Sequence, residues 1–206
     1  MCRRVAATAP EHEREQPALS TTRERILDVT AELFRRYGYT GTGLKQIVQN
    51  ASAPFGSLYH FFPGGKDELA DAVIRRSGRM YLELWEAIAD AAPDPISAVA
   101  DFFDGAAEVL RQTDFADACP IATVALEVAS RNDALRQATA EVFESWTASL
   151  ALRLEGASIP KAEARALAIF ALAALEGAFV LSRAARSTEP MDVARAAVID
   201  RLRGVS

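Results

Sequence analysis

The sequence predicts an all-α protein, and three observations carry that prediction. From Thr21 onward apolar residues recur at helical spacing, alternating β-branched runs are absent, and Pro or Gly clusters separate the helical stretches. The chain has 206 residues, half of them hydrophobic and a quarter charged, which allows one small and one larger domain. A net charge of −5 argues, on average, against a surface coated with basic charge. The weakly charged run from Ala166 to Leu181 contains Glu176 and falls short of the ~18 apolar residues a membrane span needs, so no membrane partner is expected. Cys2 and Cys119 are too few for a disulfide framework, and a reducing cytoplasm fits best. Residues 1–19 are polar and Pro-bearing, with no apolar stretch after Arg3 and Arg4; they read as a disordered arm rather than a signal peptide.

Each helix has its own signals. Thr21 and Glu24 form a capping box, and Ile26, Leu27, Thr30, Leu33, Phe34 and Tyr37 recur on one face. Arg35 and Arg36 suit the last turn, and Gly38 is the expected stop. Thr42 is the expected cap of a short helix running to about Asn50, with Leu44, Ile47 and Val48 turned inward. After the connection Ala51-Ser52-Ala53, Pro54 opens a second short helix ending near His60. Pro63-Gly64-Gly65 breaks the chain before a long helix over about 66–91, carrying Leu69, Val73, Met80, Leu84 and Trp85. The remainder predicts helices at about 95–112, 119–130, 132–155, 160–187 and 190–203.

Residues 21–62 thus hold three helices, two of them short and joined by a three-residue turn, which is a helix-turn-helix arrangement. The run from Thr22 to Tyr39, with Thr42 to Ala51 and Gly56-Ser-Leu-Tyr-His-Phe-Phe62, resembles the TetR family of transcriptional regulators. Tyr59 to Lys66, with Ala118-Cys-Pro-Ile121 and Ala125-Leu-Glu127, is similar to the LmrA/YxaF-type branch. Two features depart from the usual pattern: Ser52 stands where the turn commonly has Gly, and one extra residue separates Phe62 from Lys66. The expected division is a helix-turn-helix DNA-binding head over 20–80, with the motif itself at about 43–62, followed by a helical ligand-binding and dimerisation body over 81–206.

Residue type and place assign roles in the head. Pro54, Phe55 and Ser57 are expected to reach base edges in the major groove, with Gly56 allowing close backbone approach. Thr42, Lys45, Tyr59, His60 and Lys66 suit phosphates, while Leu58, Phe61 and Phe62 read as core. Over 21–66 six bases face three acids, so the head carries +3 and the rest of the chain −8. The partner this implies is double-stranded operator DNA.

The helix at 160–187 has one charge, Glu176, between Ala166 and Leu181, so nearly its whole circumference is apolar. A partner subunit is expected to cover one side of it, through Ala171, Ala174, Leu175, Ala178 and Phe179. The resemblance implies a homodimer, a small-molecule effector held in the body, and loss of operator binding when it is held. Trp85, Phe102, Phe103, Cys119, Thr123, Glu127, Trp146 and Glu176 are the candidate lining of its pocket, suited to an apolar or aromatic effector.

No catalytic reading stands beside this one. Of the two histidines, His12 lies in the arm and His60 in the head; no metal-ligand spacing, P-loop or cofactor motif is present. Two alternatives remain open. Cys119 before Pro120 sits at an expected helix N-terminus, where a thiolate is favoured, so a thiol-redox regulator is one; a helical interaction protein that does not bind DNA is the other.

Overall fold

A computed structural model describes residues 21–205. The expected arm, with Cys2 and His12, lies outside the described residues. Among them the elements are α1 (Thr22–Tyr37), α2 (Leu44–Asn50), α3 (Phe55–Phe61), α4 (Lys66–Ala91), α5 (Pro95–Gln112), α6 (Pro120–Val128), α7 (Asp133–Gly156), α8 (Lys161–Ala185) and α9 (Glu189–Arg203). Every predicted helix is present and the fold is all-α.

The caps explain most of the boundaries. Thr21 and Glu24 form the capping box: the Glu24 N–H donates to Thr21 Oγ1 at 3.2 Å, and the Thr21 N–H to Glu24 Oε2 at 2.7 Å. Asp94 caps α5 and Asn132 caps α7, each side chain accepting an N–H from three residues on. Thr42 does not cap α2, contrary to the sequence reading; Gly43 holds that position without a side-chain bond. The reason is the end of α1. Gly38 leaves its carbonyl without a helical donor, and the buried Thr42 hydroxyl donates to it at 2.7 Å. Pro54 is likewise the cap before α3 rather than its first helical residue.

Tyr37 also departs from its expected place. It is 55% exposed, because the core beneath α1 ends at Phe34 and is closed by Tyr39, whose ring meets Phe34 edge-on at 5.9 Å. The turn between α2 and α3 manages without glycine: Ser52 takes φ 48, and the Ala53 N–H donates to the Val48 carbonyl at 3.0 Å.

Among the described residues two hydrophobic clusters organise the fold. One joins Ile26, Phe34, Ile47 and Leu58 of the first three helices to Leu69 and Val73 of α4, and continues into Ile121 and Val124 of α6 and Leu135 and Val142 of α7. The other gathers Trp85, Phe103, Leu110, Leu154, Leu167, Leu175 and Val198. Helix α4 belongs to both, so the first three helices and the body are joined through a shared core.

Helix α8 is long and apolar enough to cross a membrane by length and composition, a longer stretch than the sequence reading allowed. Its inner side is that of a core helix: Ala164, Leu167, Ala168, Ala171, Leu175 and Ala178 are buried against the body.

Candidate nucleic-acid interface and effector cavity

Helix α3 presents its predicted reading face outward. Pro54, Phe55, Gly56, Tyr59 and His60 are exposed and Ser57 is partly so. Leu58 is buried and anchors the helix from behind. The Phe55 and Tyr59 rings lie 5.7 Å apart and form one outward aromatic surface. A side chain at Gly56 would meet open space, so this position is free on the outside for close approach. Phe62 is buried, in line with its core reading, beneath the Arg23 guanidinium at 5.3 Å.

The basic residues divide in a way the sequence did not reveal. Lys45, in the first turn of α2, is exposed. Lys66 is half-buried, its ammonium 4.2 Å above the Tyr39 ring, and burial pushes its pKa down. Gly65, with φ 70, absorbs the extra residue ahead of it. Arg35 and Arg36 turn toward the body, where both bind the Asp117 carboxylate, at 3.0 and 3.3 Å. Thr42, expected at a phosphate, spends its buried hydroxyl on Gly38.

Glu127 holds the start of the α1–α2 connection. Its carboxylate accepts the Tyr39 N–H at 3.1 Å and the Thr40 N–H at 2.6 Å, so it does not line a pocket as expected. Gly38 makes room for it: a Cβ there would sit 1.8 Å from Glu127 Oε1, at φ 71. Tyr39 donates to Asp67, and the Asn132 amide donates to the same carboxylate at 2.9 Å.

Inside the body lies a cavity of about 490 Å³. Trp85, Phe102, Phe103, Cys119, Trp146 and Glu176 line it, as the sequence suggested. Thr123 does not; its hydroxyl donates to the Cys119 carbonyl at 2.8 Å. Arg35, Tyr81, Asp117 and Leu172 line it and were missed. Tyr81, Trp85 and Ile88 follow helical spacing, a signal in the sequence that marks this face of α4. No local signal brings Arg35 there.

The cavity is largely apolar, with Arg35, Asp117, Cys119 and Glu176 among its polar lining. Burial pushes the Glu176 carboxyl up to about 7, with the Cys119 thiol beside it. Burial, followed by the Glu176 charge, holds the Cys119 thiol well above its ordinary value. The low-pKa thiolate expected at this helix N-terminus is therefore corrected. Cys119 Sγ caps α6 as a weak acceptor from the Ala122 N–H at 3.5 Å, but desolvation outweighs that.

The candidate dimer residues need a correction of helix face. Ala171, Leu175 and Ala178 are buried inside the subunit, Ala174 is packed against the same core, and Phe179 lines the cavity. The outward stripe of α8 is Ala166, Ile169, Phe170, Ala173, Gly177, Val180 and Leu181, with Phe170 42% and Leu181 60% exposed. Composition alone could not select a face, because both are apolar.

Comparison with known proteins agrees with this geometry. Residues 26–73 match the family described as bacterial regulatory proteins, tetR family, and residues 95–197 match the transcriptional regulator LmrA/YxaF-like, C-terminal domain. The chain is 35% identical to the uncharacterized HTH-type transcriptional regulator YxaF of Bacillus subtilis, over 82% of this chain and 89% of that protein. It is 29% identical to the HTH-type transcriptional regulator LmrA of the same organism, over 82% and 90%. A TetR transcriptional regulator from Legionella pneumophila has the same fold, with a TM-score of 0.81 at 21% identity, covering 90% of this chain and 99% of that one. The outward α3, the body packed against α1 and α4, and these matches place the chain in the TetR family of transcriptional regulators, with an LmrA/YxaF-like C-terminal domain, rather than among enzymes.

Proposed function

We propose that the chain is a cytoplasmic, ligand-responsive repressor that binds a palindromic operator as a homodimer and releases it when a small apolar or aromatic effector fills the body cavity. The observation that carries this reading is the cavity itself. It lies against α4, the helix whose first turns are packed into the reading head. A ligand acts only through different affinities for two states, and a helix shared by head and cavity can differ between them.

Phe55 and Ser57 read bases, with Pro54 and Gly56 fitting against the groove; Lys45, Tyr59, His60 and Lys66 meet phosphates. One such head makes few contacts. A dimer doubles them and spaces the half-sites by roughly 34–36 Å. The outward stripe of α8 is the surface we assign to the second copy. It is apolar and carries Ala166, Ala173 and Gly177, which allow a two-fold related helix to approach closely.

The test has two parts. Footprinting on operator selected from random duplexes should give a two-fold protected site and a steep loss of affinity with salt. Protection that is absent, or unaffected by salt, favours the helical interaction protein that does not bind DNA. A thermal-shift screen of aromatic compounds should then yield ligands that also release the operator. The thiol-redox alternative has no support in the geometry, since a shielded thiol with a raised pKa is a poor nucleophile.

A further inference from the structure

One wall of the cavity is not part of the body. Arg35 belongs to the last turn of α1, in the reading head, yet it lines the cavity together with Asp117. The Asp117 carboxylate is buried and stands between two guanidinium groups, with Arg35 Nε at 3.0 Å and Arg36 Nε at 3.3 Å. The loop that carries it, between α5 and α6, is held from the other side by α8. Asp114 and Phe115 are consecutive left-handed residues, at φ 50 and 59. Arg186 binds the Asp114 carboxylate at 2.6 Å, and Arg183 donates to the Ala116 carbonyl at 3.0 Å. Two residues beyond Asp117, Cys119 adjoins Glu176 of the same α8.

We propose that the Arg35–Asp117 ion pair is the coupling element through which occupancy of the cavity reaches the DNA-reading head. This rests on the reading of the cavity as an effector site and adds the route of its regulation. A shielded ion pair between two elements is close to two-valued: Asp117 either holds the end of α1 or releases it. A molecule that fills the cavity lies against both partners. If it moves Asp117, the last turn of α1 loses the acceptor shared by Arg35 and Arg36. Helix α1 backs α2 and α3 through Ile26, Phe34, Ile47 and Leu58, so a shift of α1 re-aims the reading helix. Arg35 and Asp117 are positioning residues in this scheme; neither touches DNA.

The test uses the full chain, operator selected by the protein from random duplexes, and N-phenyl-1-naphthylamine, a neutral apolar fluorophore that brightens in apolar surroundings. Its fluorescence reports filling of the cavity, and fluorescence anisotropy of labelled operator reports DNA affinity. In the wild type, saturation with the probe should weaken operator binding about 10-fold or more, within the usual span of allosteric coupling. In Asp117→Asn and in the double variant Arg35→Gln/Arg36→Gln, at saturating probe, the change should fall below about 2-fold, and Arg35→Lys/Arg36→Lys should restore most of it. A merely structural pair would alter folding or bare affinity, but not this ratio. Circular dichroism checks that each variant is folded, and Arg35→Gln/Arg36→Gln serves alone if Asp117→Asn is not. An unreduced change in the folded variants overturns the coupling and leaves the cavity reading standing. A probe that fails to bind the wild type, or binds without weakening its operator affinity, overturns the cavity reading and the coupling with it.

Discussion

Gly78 of α4 and Val142 of α7 are in such close contact that a Cβ on Gly78 would lie 2.6 Å from Val142 Cγ2. The same point is tied by the Trp146 indole N–H, which donates to the Gly78 carbonyl at 2.9 Å. Helices α4 and α7 therefore cross at a fixed place, between the head above and the cavity below. Gly78→Ala should destabilise the fold by about 1–3 kcal/mol, because the added methyl meets a branched buried side chain that cannot rotate away. Urea unfolding checks it; an unchanged midpoint would show that the helices part freely.

Ser52 occupies a left-handed position at φ 48 in the turn between α2 and α3. Glycine takes that conformation without its steric cost, although it also loosens the unfolded chain. Ser52→Gly should stabilise the protein by about 0.5–1 kcal/mol, read as a raised melting temperature. A fall would mean that the serine side chain contributes something the turn geometry does not explain.

Glu176 gives stability a pH dependence of definite sign. Its pKa is pushed up to about 7 in the folded protein, while an unfolded glutamate stays near its ordinary 4.5. Between those values the folded state binds the proton more tightly. Its contribution therefore declines as pH rises from about 4.5 to 7 and is level beyond that. Glu141 and Glu144, whose ion pairs lower their pKa values, act in the opposite direction. The comparison that isolates Glu176 is wild type against Glu176→Gln, by urea unfolding at pH 5 and pH 8. The variant should gain more stability relative to wild type at pH 8 than at pH 5; equal differences at both would exclude the shift.

The proposed dimer face, the outward stripe of α8, predicts where dimerisation fails. Phe170→Glu or Leu181→Glu puts a charge on the outward stripe, where it reaches solvent in a lone subunit but would be buried between two copies. Analytical ultracentrifugation should find dimers in the wild type and monomers in either variant, with circular dichroism unchanged. Variants that sediment as the wild type does would place the interface elsewhere.

How much of this was legible in the sequence depends on the range of the interaction. The α1 capping box, the Gly38 stop, the short α2 and α3 and the outward Phe55, Ser57 and Tyr59 all follow from neighbours a few residues apart. So does the core reading of Leu58 and Phe62. Thr42 was misread because a hydroxyl near a helix start has two uses, and the free carbonyl of Gly38 claimed it. Glu127 and Thr123 were misread for a similar reason: polar residues at pocket-like positions went to backbone groups.

The sequence by itself determined the helices, their order, the outward face of α3 and the family. These rest on periodicity, capping and turn chemistry, which act locally. Only the tertiary structure decided which side of α8 faces inward, that Arg35 and Arg36 serve Asp117, and that a residue of the head forms part of the cavity wall. Those facts join positions some 80 residues apart, such as Arg35 and Asp117. Side chains that far apart in the chain meet only through the crossing of packed helices, and no local pattern encodes where helices cross.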